Sequence, residues 1–390
     1  MPYAAALSRN PDLAEATREV CDDVRSRLNG QPPDLSFCFV SAAYPLADVE
    51  ELASRVVAAS GSRVLLGCTA EGVAGGGEEL ESGPGLALWS AVLPECRVVP
   101  FQAEFGRTPD GIICEGLPED LFTATDDVRA VFLLGDPFSS VPDSIVQRLA
   151  AERPGVALLG GMASAARRPG ENRLFSNGDA LDHGAVGAVL RGGPRVRSVV
   201  SQGCRPIGRH FVVTRGEQNV IVELGGLPPL AQLQELLPSL PARDQELASQ
   251  GLQVGIVMNE YQPSFEQGDF LISNVVGVDR EHGAIAIGHP IRTGQTVQFH
   301  VRDAQTAHDD LELLLDRDRA AHPAPPGAAL LFTCNGRGTR LFPRPHHDAR
   351  TIRDHAGPIP LAGYFAMGEL GPVGDRNYVH GYTASIALFE

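Results

Sequence analysis

One unit recurs three times along this 390-residue chain. Each copy is an apolar run, a helical segment, a second apolar run that ends in glycine-rich sequence, and a glycine-led strand. The first runs occupy residues 36–44, 130–138 and 329–337, the second 64–70, 156–163 and 359–366, and the glycine-led strands 85–93, 184–190 and 381–389. In the first copy Leu46, Val49, Leu52, Val56 and Val57 fall on one helical face, and Gly61 follows as the stop. In the second, Asp143 reads as the cap, Ile145, Val146 and Leu149 as the stripe, and Gly155 as the stop. A strand, a helix and a strand within about 30 residues have the length of a right-handed parallel crossover, so each copy predicts a parallel strand pair. The glycine-led strand is then expected to return as a hairpin with the next apolar run, at 96–101 and 196–201, which makes the sheets mixed.

The middle of the chain has a different rhythm. Residues 211–222 read as a hairpin, 228–237 as a helix opened by proline, and 270–278, 284–288 and 296–301 as a meander around a turn at 279–283. An amphipathic helix follows over 303–319, with Leu311, Leu314 and Leu315 on one face. The fold class expected is therefore α/β, in two domains of mixed sheets built from repeated β-α-β-hairpin units, with an antiparallel meander in the C-terminal domain. An N-terminal helical segment covers 1–30, and the domain boundary falls at Gly225-Gly226, leaving domains at 31–226 and 227–390.

Charge narrows the chemistry. All 32 basic residues are Arg, facing 48 Asp and Glu for a net charge of −16. Without Lys there is no Walker-type phosphate loop, no internal Schiff base to a pyridoxal cofactor, and no kinase or Ser-x-x-Lys machinery. The acidic balance, with no basic stripe, argues against nucleic acid and membrane surfaces as partners. No charged n-region with a long apolar h-region opens the chain, and no apolar run approaches about 18 residues, so a cytoplasmic protein is expected. Seven Cys at odd spacings, with no Cys-x-x-Cys, predict neither a disulfide framework nor a metal site.

Ligands of parallel sheets gather beyond the carboxyl ends of the strands. The most chemical of the strand-end loops is 333–339. There Gly336 and Gly338 let backbone amides face an anion, Arg337 adds a bidentate donor, and Cys334 a nucleophile or soft ligand. It is no dinucleotide fingerprint, because Arg340 stands where the last Gly belongs, and Pro343 and Pro345 interrupt the helix that should follow. His346 and His347, near Asp348 and His355, lie in a proline-rich stretch without metal spacing and read as solvated. Neither Gly-x-Ser-x-Gly nor His-Glu-x-x-His occurs.

Cys334, Asn335, Gly336, Arg337, Glu369 and His380 are expected to meet in one pocket of the C-terminal domain. Arg337 would hold the carboxylate and Glu369 the ammonium of a zwitterion such as an amino acid. The competing reading pairs Arg337 with Glu369 as a structural salt bridge. Secondary candidates are Cys68, Thr69, Asp136, Cys204 and Arg205; no residue is assigned as catalytic or as a metal ligand.

Several longer motifs carry a family resemblance. They are Leu-Gly-Cys-Thr-Ala-Glu-Gly at 66–72, Leu-Gly-Gly at 159–161 with Phe-Ser-Asn-Gly at 175–178 and Gly-Ala-Val-Gly at 184–187, and Val-Ser-Gln-Gly-Cys-Arg-Pro-Ile-Gly at 200–208. Gly-Gln-Thr-Val-Gln-Phe-His-Val-Arg-Asp follows at 294–303, then Pro-Leu-Ala-Gly-Tyr-Phe-Ala-Met-Gly-Glu-Leu-Gly-Pro-Val-Gly at 360–374 with His-Gly-Tyr-Thr-Ala-Ser at 380–385. With these, the chain resembles the FIST family from about residue 34 onward, with a FIST N-like domain at 31–226 and a FIST C-like domain at 227–390. The resemblance implies a sensory, signal-transducing module that binds small ligands such as amino acids and is coupled in other members to output domains. No output domain is expected here, so the chain would signal through a separate protein or simply bind. Some bacterial members are associated with haem and nitric oxide sensing, which makes haem the one cofactor the resemblance brings forward, although Cys-x-x-Cys-His is lacking. Ala366 stands where the family often has Cys, which weakens a redox role there. The alternatives are an enzyme using Cys334 or Cys204 as nucleophile, with His380 or Glu369 as base, and a haem or nitric oxide sensor.

Overall fold

A computed structural model describes residues 2–109, 111–123 and 127–390. The chain divides into two compact units: residues 1–200, 311–379 and 383–390 form the first, and residues 201–310 and 380–382 the second. This division does not follow the linear boundary at 226, because the third repeat shares a unit with the first two.

The repeats give the first unit its architecture. Leu35–Ser41 pairs in parallel with Leu65–Ala70, Val128–Gly135 with Leu158–Met162, and Ala328–Cys334 with Leu361–Ala366. On the other side of each leading strand runs its own glycine-led strand, antiparallel: Leu86–Ala91, Ala185–Gly192 and Thr383–Phe389. Helices cross between the parallel strands. Leu52–Ser60 closes on Gly61, whose left-handed φ of 72° lets its amide bond the Val57 carbonyl. Pro142–Glu152 opens on Pro142 in place of the expected cap, and Asp143 sits in its first turn.

The sheets are completed by exchange between repeats, not by the local hairpins expected. Leu86–Ala91 takes Tyr3–Ser8 on its free edge, a strand that precedes the helix Leu13–Arg27 in what reads as a purely helical segment. Cys96–Thr108 crosses to Ala185–Gly192 of the second repeat, and Val196–Gln202, part of this unit through Val200, lies beside Thr383–Phe389 of the third. The hairpins after each second strand rotate likewise. That of the first repeat, Val73–Gly75 with Glu78–Leu80, joins Leu361–Ala366, while Leu174–Ser176 of the second joins Leu65–Ala70 and Glu369–Val373 of the third joins Leu158–Met162. The inner faces share one core, in which Phe37 meets Phe132 at 5.3 Å between centroids, Phe39 meets Phe332 at 6.4 Å, and Phe132 stacks on Phe389 at 5.9 Å.

The second unit is a closed six-stranded barrel instead of an open meander. Its strand order is Cys204–Glu217, Val220–Leu224, Ile285–Ile287, Phe270–Val278, Leu252–Val257 and Thr296–Arg302. Leu252–Val257, unread in the sequence, supplies the closure by pairing with both Phe270–Val278 and Thr296–Arg302. Val213, Ile221, Val254, Ile285 and Phe299 fill it.

Candidate functional site

The carboxyl ends of Ala328–Cys334 and Leu361–Ala366 meet in register, with Cys334 opposite Ala366, and the Asn335 amide donates to the Ala366 carbonyl at 2.9 Å. From there the chain turns through Gly338, at φ 56°, into the short helix Gly338–Arg340. Strand alternation decides what each side chain can reach. Phe332 belongs to the inner core and Leu331 to the outer layer beneath the helix His347–Ala356.

Thr333 and Arg337 serve the helix side. Arg337 is fully buried, and its Nε and Nη2 each donate to a different oxygen of Asp348 at 2.8 Å. Thr333 Oγ1 donates to the same carboxylate at 2.6 Å, and His347 Nδ1 lies 2.9 Å from it. Burial alone would raise the Asp348 carboxyl, but the Arg337 charge and these hydrogen bonds outweigh it and hold the carboxyl well below its usual range. Next to this pair, Glu79 accepts from the Ala349 amide at 2.8 Å. Burial and the nearby Asp348 charge push the Glu79 carboxyl up to about 8. The histidines are not solvated: His346 Nδ1 accepts from the Glu79 amide at 2.8 Å, and the His347 ring stacks on Phe342.

Cys334 and Glu369 form a second, separate group. Glu369 is fully buried and accepts from Thr383 Oγ1 at 2.7 Å, the Thr383 amide at 3.1 Å and the Cys334 thiol. Burial prevails over these bonds and raises its carboxyl to about 7. The Gly336 amide donates to Cys334 Sγ at 3.4 Å. Of the six residues expected in one pocket, Cys334 and Glu369 meet, Arg337 is held by Asp348 on the helix side, and His380 is buried at the end of Arg376–His380. Thr333 meets Asp348 and Cys334 meets Glu369 because successive side chains of one strand point to opposite faces.

Each secondary candidate has partners within the fold. Cys68 is fully buried, which pushes its thiol up. Thr69 Oγ1 accepts from the Arg173 amide at 2.8 Å, and Asp136 accepts from Asn172 Nδ2 at 2.9 Å and Ser139 Oγ at 2.7 Å. In the barrel, Cys204 packs with Val257, Phe270 and Ile272, and Arg205 bridges Asp244 and Asp303.

An open cavity of about 200 Å³ does occupy the strand ends, lined by Glu71, Glu81, Asn335, Thr339, Arg340 and Phe365 among others. Arg340 ion-pairs with both oxygens of Glu71 and donates to the Asn335 carbonyl at 2.8 Å. Glu81 accepts from the Thr339 amide at 2.8 Å and from Thr339 Oγ1 at 2.6 Å. Of the six residues expected at the site, Asn335 lines this cavity. Arg340 drew notice in the sequence only as a departure from a nucleotide motif. Glu71 stands in the 66–72 motif, but its meeting with Arg340 depends on the rotated hairpin, which local spacing does not encode.

Comparison with known proteins places both halves of the chain. The FIST N domain model matches residues 34–227 and the FIST C domain model residues 229–372. An uncharacterized Mycobacterium tuberculosis protein, Rv0628c, is 44% identical over 389 residues, covering 100% of both chains. An uncharacterized Mycobacterium bovis protein, Mb0898c, is 40% identical over 389 residues, covering 100% of this chain and 99% of its own.

Proposed function

The chain belongs to the FIST family, whose domains are sensory, signal-transducing and bind small ligands, and on that premise we propose that it senses an amino acid or similar small zwitterion at the strand-end cavity. The observation that carries this reading is the open charge set of Arg340 beside Glu71 and Glu81, with Asn335 and the apolar Phe365 on the same wall. A guanidinium binds a carboxylate through two parallel hydrogen bonds, and a carboxylate suits an ammonium. In this scheme Arg340 takes the ligand's carboxylate, Glu71 and Glu81 take its ammonium, and Asn335 orients it. The Arg340–Glu71 pair is half-exposed, and such pairs contribute only about 0–1 kcal/mol. A zwitterion that satisfies both partners therefore replaces it at little cost.

Arg337, assigned to the carboxylate by sequence reasoning, takes a positioning role in this reading: with Asp348 it fixes the turn that presents Asn335 and Arg340. Seven free thiols fit a reducing compartment, so we place the protein in the cytoplasm, signalling to a separate protein. No helix among the described residues is long and apolar enough to cross a membrane.

The test is thermal-shift screening followed by calorimetry against the amino acids, on wild type, Arg340→Ala and Glu71→Gln. At least one amino acid should raise the melting temperature of wild type, and Arg340→Ala should weaken it roughly 10- to 100-fold, the loss of a charge-assisted contact of about 1.5–3 kcal/mol. Equal stabilisation of wild type and Arg340→Ala, or no response to any amino acid, would remove this assignment.

A further inference from the structure

A second cavity lies at the opposite end of the strand Leu361–Ala366. It measures about 430 Å³ and has a different chemistry from the first. Its floor is apolar, formed by Tyr3, Ala5, Ile359 and Leu361, while Arg27 and Arg353 are its two charged residues. No carboxylate is among the described residues that line it, in a chain whose net charge is −16. Phe365 marks the first cavity and Leu361 the second, four residues along one strand, so roughly 13 Å of sheet separates them.

Each wall has a local cause. Tyr3 Oη donates to the Glu390 carbonyl at 2.9 Å, which occupies the hydroxyl and leaves the ring as apolar surface. Arg27 ends the helix Leu13–Arg27 and is held by Asp23 at 2.8 Å. Arg353 lies in the last turn of His347–Ala356, and its nearest ion-pair partner among the described residues is Asp354, at 3.9 Å. Gly77 leaves room for it: a Cβ there would stand 3.1 Å from both Cδ and Nη1 of Arg353. Arginines in the last turn of a helix complement its dipole, and that is the structural reading of both. It explains neither their meeting over one apolar floor nor the absence of carboxylates from the lining.

We propose that this cavity binds an amphipathic monocarboxylate, its apolar tail on Tyr3, Ala5, Ile359 and Leu361 and its carboxylate on Arg353, with Arg27 as the second cation. A planar guanidinium whose nearest carboxylate partner among the described residues, Asp354, stands 3.9 Å away is matched to a carboxylate head, and an apolar floor to a hydrocarbon tail. The site does not depend on the amino acid reading, and no residue is shared between the two.

Calorimetric titration with octanoate, octanol and octylamine, and with butyrate, hexanoate and decanoate, tests it. Octanoate should bind one to one and at least tenfold more tightly than octanol or octylamine. Affinity should rise by roughly fourfold per methylene until the cavity is full. Arg353→Ala and the cavity-filling Ile359→Trp should each weaken octanoate at least tenfold, while Arg340→Ala leaves it unchanged. Arg353 is exposed and Ile359 half-buried against the core, so an unaltered melting temperature for each free variant would exclude misfolding as the cause. Octanoate that fails to saturate, binds no better than octanol, or binds the Arg353→Ala and Ile359→Trp variants like wild type would overturn the proposal.

Discussion

Glu79 shows how one buried carboxyl sets the pH response around the strand ends. Its Oε1 takes the Ala349 amide, its Oε2 has no hydrogen-bond partner among the described residues, and Asp348 lies close enough to disfavour a second negative charge. Arg337 is claimed by Asp348, so its charge only partly relieves Glu79. With a folded pKa of about 8 against an ordinary 4.5, the folded state holds a proton that the unfolded state has released. The stabilisation from Glu79 is therefore complete below about pH 4.5, falls as pH rises, and is gone above about pH 8. Glu369 acts in the same direction between 4.5 and about 7. His300, buried and lowered to about 4, acts in the opposite direction, adding stability as pH rises from about 4 to 6.5. Glu79→Gln keeps an acceptor for Ala349 and removes one of these three titrating groups. Urea unfolding should find variant and wild type within about 1 kcal/mol of each other near pH 5, with the variant more stable by about 4 kcal/mol at pH 8.5. Parallel stability curves from pH 5 to 9 would rule out a protonated Glu79. Arg337 stood out in the sequence for its glycine flanks, but Asp348 as its partner did not. Eleven residues and a change of element separate them, and no spacing rule covers that.

At the scale of elements, one glycine per repeat allows the parallel pairs to close. Gly67, Gly160 and Gly363 occupy the second strand of each repeat, and an added Cβ would sit 2.0, 2.0 and 1.9 Å from the carbonyl oxygens of Cys38, Leu133 and Leu331 on the leading strands. Those are the residues directly across the ladder. Gly160 also has a φ of 136°, which a side chain would strain, so Gly67 and Gly363 isolate the steric effect. Gly67→Ala and Gly363→Ala should each cost about 3 kcal/mol or more in urea unfolding, the upper range for overpacking. Gly178→Ala, whose Cβ would meet nothing closer than 3.9 Å, should stay within about 1 kcal/mol. If all three variants unfold alike, close strand approach is not what these glycines provide. The parallel pairs themselves are legible in the sequence because helix period and crossover length are local quantities. Hairpin exchange is not, since the sequence of Val73–Leu80 is the same whichever sheet edge receives it.

For the whole molecule, the exchange of hairpins makes the first unit inseparable although its sequence comes in repeats. The FIST N match ends at residue 227, and a linear reading would treat that stretch as self-sufficient. Without the third repeat, however, the hairpin Val73–Gly75 and Glu78–Leu80 has lost Leu361–Ala366, and Leu158–Met162 has lost Glu369–Val373. Phe39 has lost Tyr364 at 4.8 Å and Phe332, and Trp89 has lost Phe389 at 4.8 Å. Removing one large buried aromatic costs about 3–5 kcal/mol, so three together exceed most of the roughly 5–15 kcal/mol that holds a domain folded. Residues 201–310 differ, because all six barrel strands lie between Cys204 and Arg302 in one continuous stretch, and the barrel leaves no edge for another segment to complete. A fragment of residues 1–227 should therefore show no cooperative thermal transition and poor amide dispersion by NMR, while a fragment of residues 201–310 should give both a single transition and a dispersed spectrum. Adding residues 311–390 in trans to the first fragment should restore cooperative unfolding of the first unit, since that segment carries every strand of this unit that the fragment lacks. Cooperative unfolding of 1–227 alone would mean that the first two repeats are stable without the exchange, and that the division at 226 is physical as well as sequential.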